Sequence, residues 1–317
     1  MRIWNIINDD LDCNIEISDK ATLYDQRFSW YLLIRAINDF FNNRNSNTKV
    51  FEDEQPINKN DWQCIFIPFD AEVQLNKITT KSPLKDIQLS ASNQLTYSPI
   101  FGELQEVWGQ LDSDLEIINQ KLKRWGLTTS LKSLSEKDLS NFISFHSLTE
   151  NLSPLDIKQL LLNIFLDKSF DKKILFLVEL PEIYATEREL IQFNNLVEKA
   201  IIKGCKFIFV SNKKYGCVNY SYKNKIINDT LLEQMKFKVK KELPFYCSDS
   251  LYKKAKDILL LIVDNSINID NLAESIPNNF GAIVTIIHVI MYNLGIGSLH
   301  EIQGLEPNLK KFISHYT

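Results

Sequence analysis

Two carboxylates, Glu179 and Glu182, follow directly on the apolar run Ile174 to Val178. An acid at the end of a buried strand is where a nucleotide-hydrolysing sheet positions magnesium and water, so this pair is the first candidate for chemistry. Such a site also needs a phosphate cradle, Gly-x-x-x-x-Gly-Lys-Ser/Thr, because only glycine lets backbone amides close on the phosphates while the lysine neutralises them. None of the nine glycines precedes a lysine in that setting. The stretch where the cradle belongs, Ser18 to Ser29 between Ile17 and Trp30, has no glycine at all. Nucleotide hydrolysis is therefore not expected, and Glu179 and Glu182 read as turn or interface residues.

The other reactive types are scattered. His146, His288, His300 and His315 are isolated, and His288 lies within an apolar helix as a core residue. No serine stands in a nucleophile elbow, and no cysteine has a histidine near it in sequence. Cys13, Cys64, Cys205, Cys217 and Cys247 are odd in number, match no zinc spacing and fit a reducing cytosol. No catalytic residue is assigned, and the chain is expected not to be an enzyme.

Basic residues carry the remaining signal. Lys121, Lys123 and Arg124 close one long helical pattern, Lys132 lies just beyond, and no acid stands between Asn119 and Ser135. Cations stabilise a helix C-terminus by a few tenths of a kcal/mol; the same residues could equally contact phosphates. Lys213, Lys214, Lys223 and Lys225, interspersed with Tyr215, Tyr220 and Tyr222, are the stronger candidate. Lysines without a base-reading scaffold give salt-dependent backbone binding with little sequence preference. A solvated basic face is the alternative.

The elements that must position these groups centre on Lys172 to Asn212. Ile174 to Val178 and Phe207 to Val210 are runs of buried-strand length. Between them Thr186 and Glu189 have capping-box spacing, Leu190, Phe193, Val197, Ala200 and Ile201 share one helical face, and Gly204 stands where an αL residue ends the helix. Two doubly buried parallel strands imply neighbours, hence the centre of an α/β sheet. Arg2 to Ile7, Asn14 to Ile17 and Gln63 to Phe69 read as further strands of the same sheet, and Phe28 to Phe41 as a helix. Leu75 to Ser98 reads as a connection leaving the sheet. Pro99 to Arg124 then reads as one helix on Leu104, Val107, Leu111, Leu115, Ile118 and Leu122, and Ser135 with Asp138 and Ser153 with Pro154 start two more. Ser250 to Val263 and Phe280 to Leu294 are apolar helices, the latter too interrupted and short to span a membrane. A DNA-reading helix-turn-helix in Asn271 to Leu294 is disfavoured, because its second helix is too apolar to face a groove.

The 317 residues, 44% hydrophobic and 24% charged, suffice for two or three domains. Charge is polarised: Met1 to Asn76 holds 7 basic and 13 acidic residues, and Lys213 to Lys256 holds 11 basic and 4 acidic. Met1 leads directly into MRIWNII without a secretory signal, so a cytoplasmic protein is expected.

The order of an MRIWNI strand, a glycine-free substitute for the phosphate loop, a helical insertion, then KKILFLVELPEIY and KGCKFIFVSN, resembles the spacer-acquisition accessory protein of type II-A CRISPR systems, in its long form with an extra C-terminal domain. The likeness covers about Met1 to Asn212 and implies an α/β fold. It comprises a degenerate P-loop-like, mainly parallel sheet as head (1–78 and 152–212), an inserted helical leg (79–151) and a C-terminal mainly helical domain (213–317). It further implies a homotetrameric ring around linear double-stranded DNA, loaded at ends, for antiviral defence. The implied partners are the CRISPR integrase proteins and the RNA-guided effector nuclease, without ATP and without a membrane. Shorter family members are similar in having calcium sites supported by an acidic cluster near the leg's helical turn. Here Lys121, Lys123, Arg124 and Lys132 occupy the comparable region, and Asp112, Asp114 and Glu116 lie earlier, so no calcium ligand is carried over and no metal residue is assigned. Either the basic residues replace the ion in holding the ring, or they face DNA. The alternative reading is a degenerate nucleotide-binding or scaffold protein whose sheet presents partner surfaces.

Overall fold

The structure, a computed structural model, describes residues 2–24, 29–72, 82, 84–146, 148, 152–167, 171–223, 225–264, 279–297 and 305–314. The chain forms two compact units, one of Met1–Phe69 with Phe170–Thr317 and one of Asp70–Ser169.

In the first unit, β1 (Arg2–Ile7) and β2 (Asp12–Ile17) form an antiparallel hairpin closed by the Asn8 amide on the Leu11 carbonyl at 2.8 Å. Strand β3 (Lys20–Tyr24), helix α1 (Ser29–Asn42), β4 (Lys49–Glu52), β5 (Gln55–Pro56) and β6 (Trp62–Ile67) follow. The first third does not feed one sheet. Strands β1, β2, β4 and β5 make a four-stranded antiparallel sheet of their own, in the order β2-β1-β4-β5. The reason is connection length: tight turns can only return a chain antiparallel, whereas parallel neighbours need a crossover. Only β3 and β6 join the parallel sheet, and β3 lies within the stretch that sequence reading treated as a loop substitute.

After the second unit come β7 (Lys173–Glu179), β8 (Lys206–Val210), β9 (Cys217–Tyr222) and β10 (Lys225–Ile227). The second sheet runs β10-β9-β3-β8-β7-β6, parallel throughout except for β10. Strands β7 and β8 pair directly, Phe176 opposite Phe207 and Val178 opposite Phe209, and their side chains are almost wholly buried. Their connecting helix (Glu187–Ile202) has the Thr186–Glu189 capping box, buries Leu190, Phe193, Val197 and Ala200, and ends at Gly204 with φ 88°. The sheet does not stop at Asn212. It continues through β9, which enters beside β3 because Gly216 allows it: φ there is 66°, and a Cβ would lie 2.1 Å from the Lys20 carbonyl oxygen.

Apolar clusters on both sides of the strands hold this unit together. One, under both sheets, gathers Trp4, Ile15, Leu23, Trp30, Ile34, Leu175 and Ile208. Another joins β9 and β10 to the C-terminal helices Asp229–Glu242, Asp249–Val263, Phe280–Asn293 and Pro307–Ile313. A buried polar joint bridges β2, β9 and the first of these helices. Asn219 accepts from the Glu16 amide at 2.6 Å and donates to the Glu16 carbonyl at 2.9 Å, Asn228 donates to Asn219 at 3.1 Å, and Glu16 Oε2 accepts from the Thr230 amide at 3.2 Å.

The second unit holds α2 (Lys85–Thr96), α3 (Pro99–Gln110), α4 (Glu116–Leu122), α5 (Glu136–Phe142) and α6 (Pro154–Leu166). By this count the connecting helix above is α7, and the C-terminal four are α8 to α11. Capping boxes start α5 at Ser135 with Asp138 and α6 at Ser153 with Asp156. The long pattern from Pro99 to Arg124 is not one α-helix. Leu111–Leu115 and Lys123–Trp125 are 3-10 turns. Ser113 Oγ donates back to the Gln110 carbonyl at 2.7 Å, the kind of local side-chain bond that competes with α-helical pairing. Part of the stretch Leu75 to Ser98 lies outside the described residues, and Lys85–Thr96 within it is helix and not connection.

Candidate nucleic-acid interface

At the ends of the parallel strands, where a nucleotide site would lie, the carboxylates are already used. Glu179 accepts from the Phe69 amide at 3.0 Å, and Glu182 accepts from Ser211 Oγ at 2.8 Å and the Asn212 amide at 2.6 Å. They tie loops, in keeping with the turn role read from sequence. Leu180 and Tyr184 between and beyond them have φ of 43° and 60°. Tyr215 packs on Phe209 with centroids 4.6 Å apart; burial, with Glu182 nearby, pushes its hydroxyl up to about 12, so it stays neutral. Thr22 clasps the Tyr215 backbone, accepting from its amide and donating to its carbonyl at 2.7 Å each.

Histidine and cysteine chemistry is equally sparse. His288 is fully buried in the C-terminal core, where burial lowers its pKa and keeps it neutral. His146 meets only Ser144, at 2.9 Å, while His300 and His315 lie outside the described residues. All five cysteines are free. Burial, with Asp12 adding to it, pushes the Cys13 thiol up to about 12.

Of the basic residues, Lys121, Lys123, Arg124 and Lys132 are exposed, the first three around the C-terminal end of the α3–α4 track, and none has an ion-pair partner among the described residues. The extended segment after Gly126 is clipped back along that track by side chains. Asn119 binds Thr129 through its carbonyl (2.9 Å) and amide (2.6 Å), Asp112 accepts from the Leu131 amide at 2.8 Å, and Trp108 donates to the Lys132 carbonyl at 2.9 Å. This return places Lys132 beside the helix rather than beyond its end. Asp112 is thereby a structural acceptor, and no group of three or more His, Cys, Asp or Glu side chains that could hold a metal occurs among the described residues.

The C-terminal lysines divide. Lys214 pairs with Asp264 at 2.6 Å and lies over Tyr24 and Tyr220 at 5.2 and 5.5 Å, an internal tie. Its own burial would lower its pKa, but the bonds to Asp264 and Tyr220 win and raise it. Lys223 spans the β9–β10 turn over Tyr222 and reaches the Ile296 carbonyl at 3.5 Å. Lys213 and Lys225 are exposed and free of ion pairs among the described residues. Sequence reading passed over the lysines of α8 and α9, whose signal was present in the net charge but not in a motif.

A further cleft of about 680 Å³ is lined by Asn5, Asn14, Asn228 and Gln234 with the Asp53–Glu54 turn. Its polar groups are amides and exposed carboxylates.

No protein-family model matches the chain, and no curated protein sequence matches it. Among solved structures, the fold is similar to that of Stu0660 of Streptococcus thermophilus, with TM-score 0.50 and 11% identity over 99% of each chain. The shared fold extends over the parallel sheet, the helical second unit and the C-terminal helices alike. No helix among the described residues is long and apolar enough to cross a membrane.

Proposed function

We propose that this chain is a non-enzymatic double-stranded DNA-binding protein of CRISPR spacer acquisition, assembling as a homotetrameric ring around linear DNA. The observation that carries the reading is the surface of the second unit. Leu104, Val107, Leu111 and Ile118 recur at helical spacing yet are 45%, 56%, 43% and 48% exposed, and α3 buries no residue. A continuous apolar stripe left to solvent is an association surface. Its charges suit a second copy: Glu103, Glu106, Asp112, Asp114 and Glu116 lie along it and Lys121, Lys123 and Arg124 follow it, so two antiparallel tracks bring cations of one against acids of the other.

Further support comes from the element order that carries the family resemblance and from the end-to-end fold likeness to Stu0660. The strand-end acids tie loops, and no residue is assigned to catalysis. With Lys121, Lys123 and Arg124 used in holding the ring, DNA contacts fall to Lys132, Lys213 and Lys225. The ring works without ATP or bound calcium, in the cytoplasm, with the integrase proteins and the effector nuclease as partners.

Light scattering and mobility-shift titration test the reading. A tetramer that binds linear duplex, with affinity falling steeply between low and moderate salt, is the expected result. A monomer with no duplex binding at low salt would end it.

A further inference from the structure

Helix α8 and the start of α9 carry a surface that the reading above does not use. Between Asp229 and Asp257 stand seven lysines and five acids. Four of the acids are held by other side chains. Asp229 and Glu233 hold buried Lys256 at 2.9 and 2.5 Å, Asp249 is gripped by Lys236 at 3.0 Å and by Lys240, and Glu242 accepts from Asn293 at 2.7 Å. Lys238, Lys241, Lys253 and Lys254 are exposed and have no ion-pair partner among the described residues. Four exposed lysines therefore have no direct ion pair to offset them, and the surface they share is basic.

Two large aromatics stand in this field. Phe237 is 81% exposed and Tyr246 90% exposed, although burying such rings favours folding. Phe237, Lys238 and Lys241 share the solvent face of α8 by three- and four-residue spacing, while Lys236 and Lys240 turn toward Asp249. The Asp249 clamp sets the first turn of α9, with Lys253 one turn along, beside this face. Tyr246 lies on the short connection between the helices, near enough to Lys240 to act on its charge.

We infer that this face binds single-stranded nucleic acid, the unpaired overhang of a DNA end, with Phe237 and Tyr246 stacking on bases and Lys238, Lys241, Lys253 and Lys254 following the phosphates. Duplex bases hide their faces from a flat ring, whereas unpaired ones offer them, so exposed rings among free lysines suit a single strand. An anionic membrane is the competing occupant and is decided by the test. The inference rests on the DNA-end reading for its biological setting, but not for its chemistry.

The full chain is titrated by fluorescence anisotropy with a blunt duplex, the same duplex bearing an overhang of about ten nucleotides, matching the span of one binding site, and an anionic phosphatidylserine vesicle. The overhang is expected to bind about tenfold more tightly than the blunt end. Phe237→Ala with Tyr246→Ala, both at the surface and safe for folding, removes that difference and leaves blunt-end affinity unchanged. Equal binding of both duplexes by the unaltered protein, retention of the preference by the double variant, or capture by vesicles with none by the overhang would each overturn it. Overhang binding with no affinity for the blunt duplex upholds this inference while removing the reading of a duplex-encircling ring.

Discussion

Individual residues carry this fold at a few close approaches. Gly216 stands against the Lys20 backbone with positive φ, so Gly216→Ala is expected to cost about 3 kcal/mol and to loosen the β3–β9 pairing, read as a lower urea midpoint. Asn219 satisfies both main-chain groups of Glu16, and Asn219→Ala strands a buried N–H and C=O together. A loss of about 3 kcal/mol in equilibrium unfolding is expected there. Asp249 is held below the ordinary carboxylate range, first by its bond from Lys240 and then by Lys236. Its folded pKa is depressed, so its contribution is complete above the ordinary value of 3.8 and fades as pH falls below it. Asp249→Asn should lower the neutral plateau slightly and leave the strongly acid region unchanged, so the acid limb flattens when urea midpoints are followed across pH.

At the scale of elements, local rules were readable wherever side chains near in sequence decide the outcome. Thr186 with Glu189, Ser135 with Asp138, Ser153 with Pro154, and Gly204 all mark the helix ends they were expected to mark. Partition between the two sheets was not readable, because β1, β2 and β6 show similar apolar alternation and only pairing partners far along the chain separate them. The break at Leu111–Leu115 was hidden for the opposite reason: a 3-10 turn preserves the apolar spacing almost intact. The lysine sites were legible as charge but not as geometry. Nothing in the sequence reveals that Lys214 is bound to Asp264, fifty residues away, while Lys213 beside it faces solvent. Reversing Lys214 should therefore lower the melting temperature, whereas reversing Lys213 and Lys225 should leave it unchanged and weaken duplex binding in a mobility-shift assay. For the apolar track, Val107→Asp with Ile118→Asp is expected to leave secondary structure intact, since both side chains are about half exposed, and to reduce the assembly in light scattering. An unchanged assembly would remove the track from the subunit contact.

At the scale of the whole molecule, the parallel sheet ties its own strand-end acids into loops, and the surface keeps an apolar helical track and a set of exposed lysines. The molecule is polarised in charge, acidic in its first residues and basic past Asn212. The proposed ring makes topology the decisive variable, because a closed circle offers no end to thread. Affinity is best measured on one DNA sequence prepared as a covalently closed circle and as the same molecule cut once, at fixed low salt. A tetrameric ring should bind the linear form tightly and the circle about a hundredfold more weakly, since only the non-specific phosphate attraction remains there. Equal affinity for circle and linear DNA would contradict it.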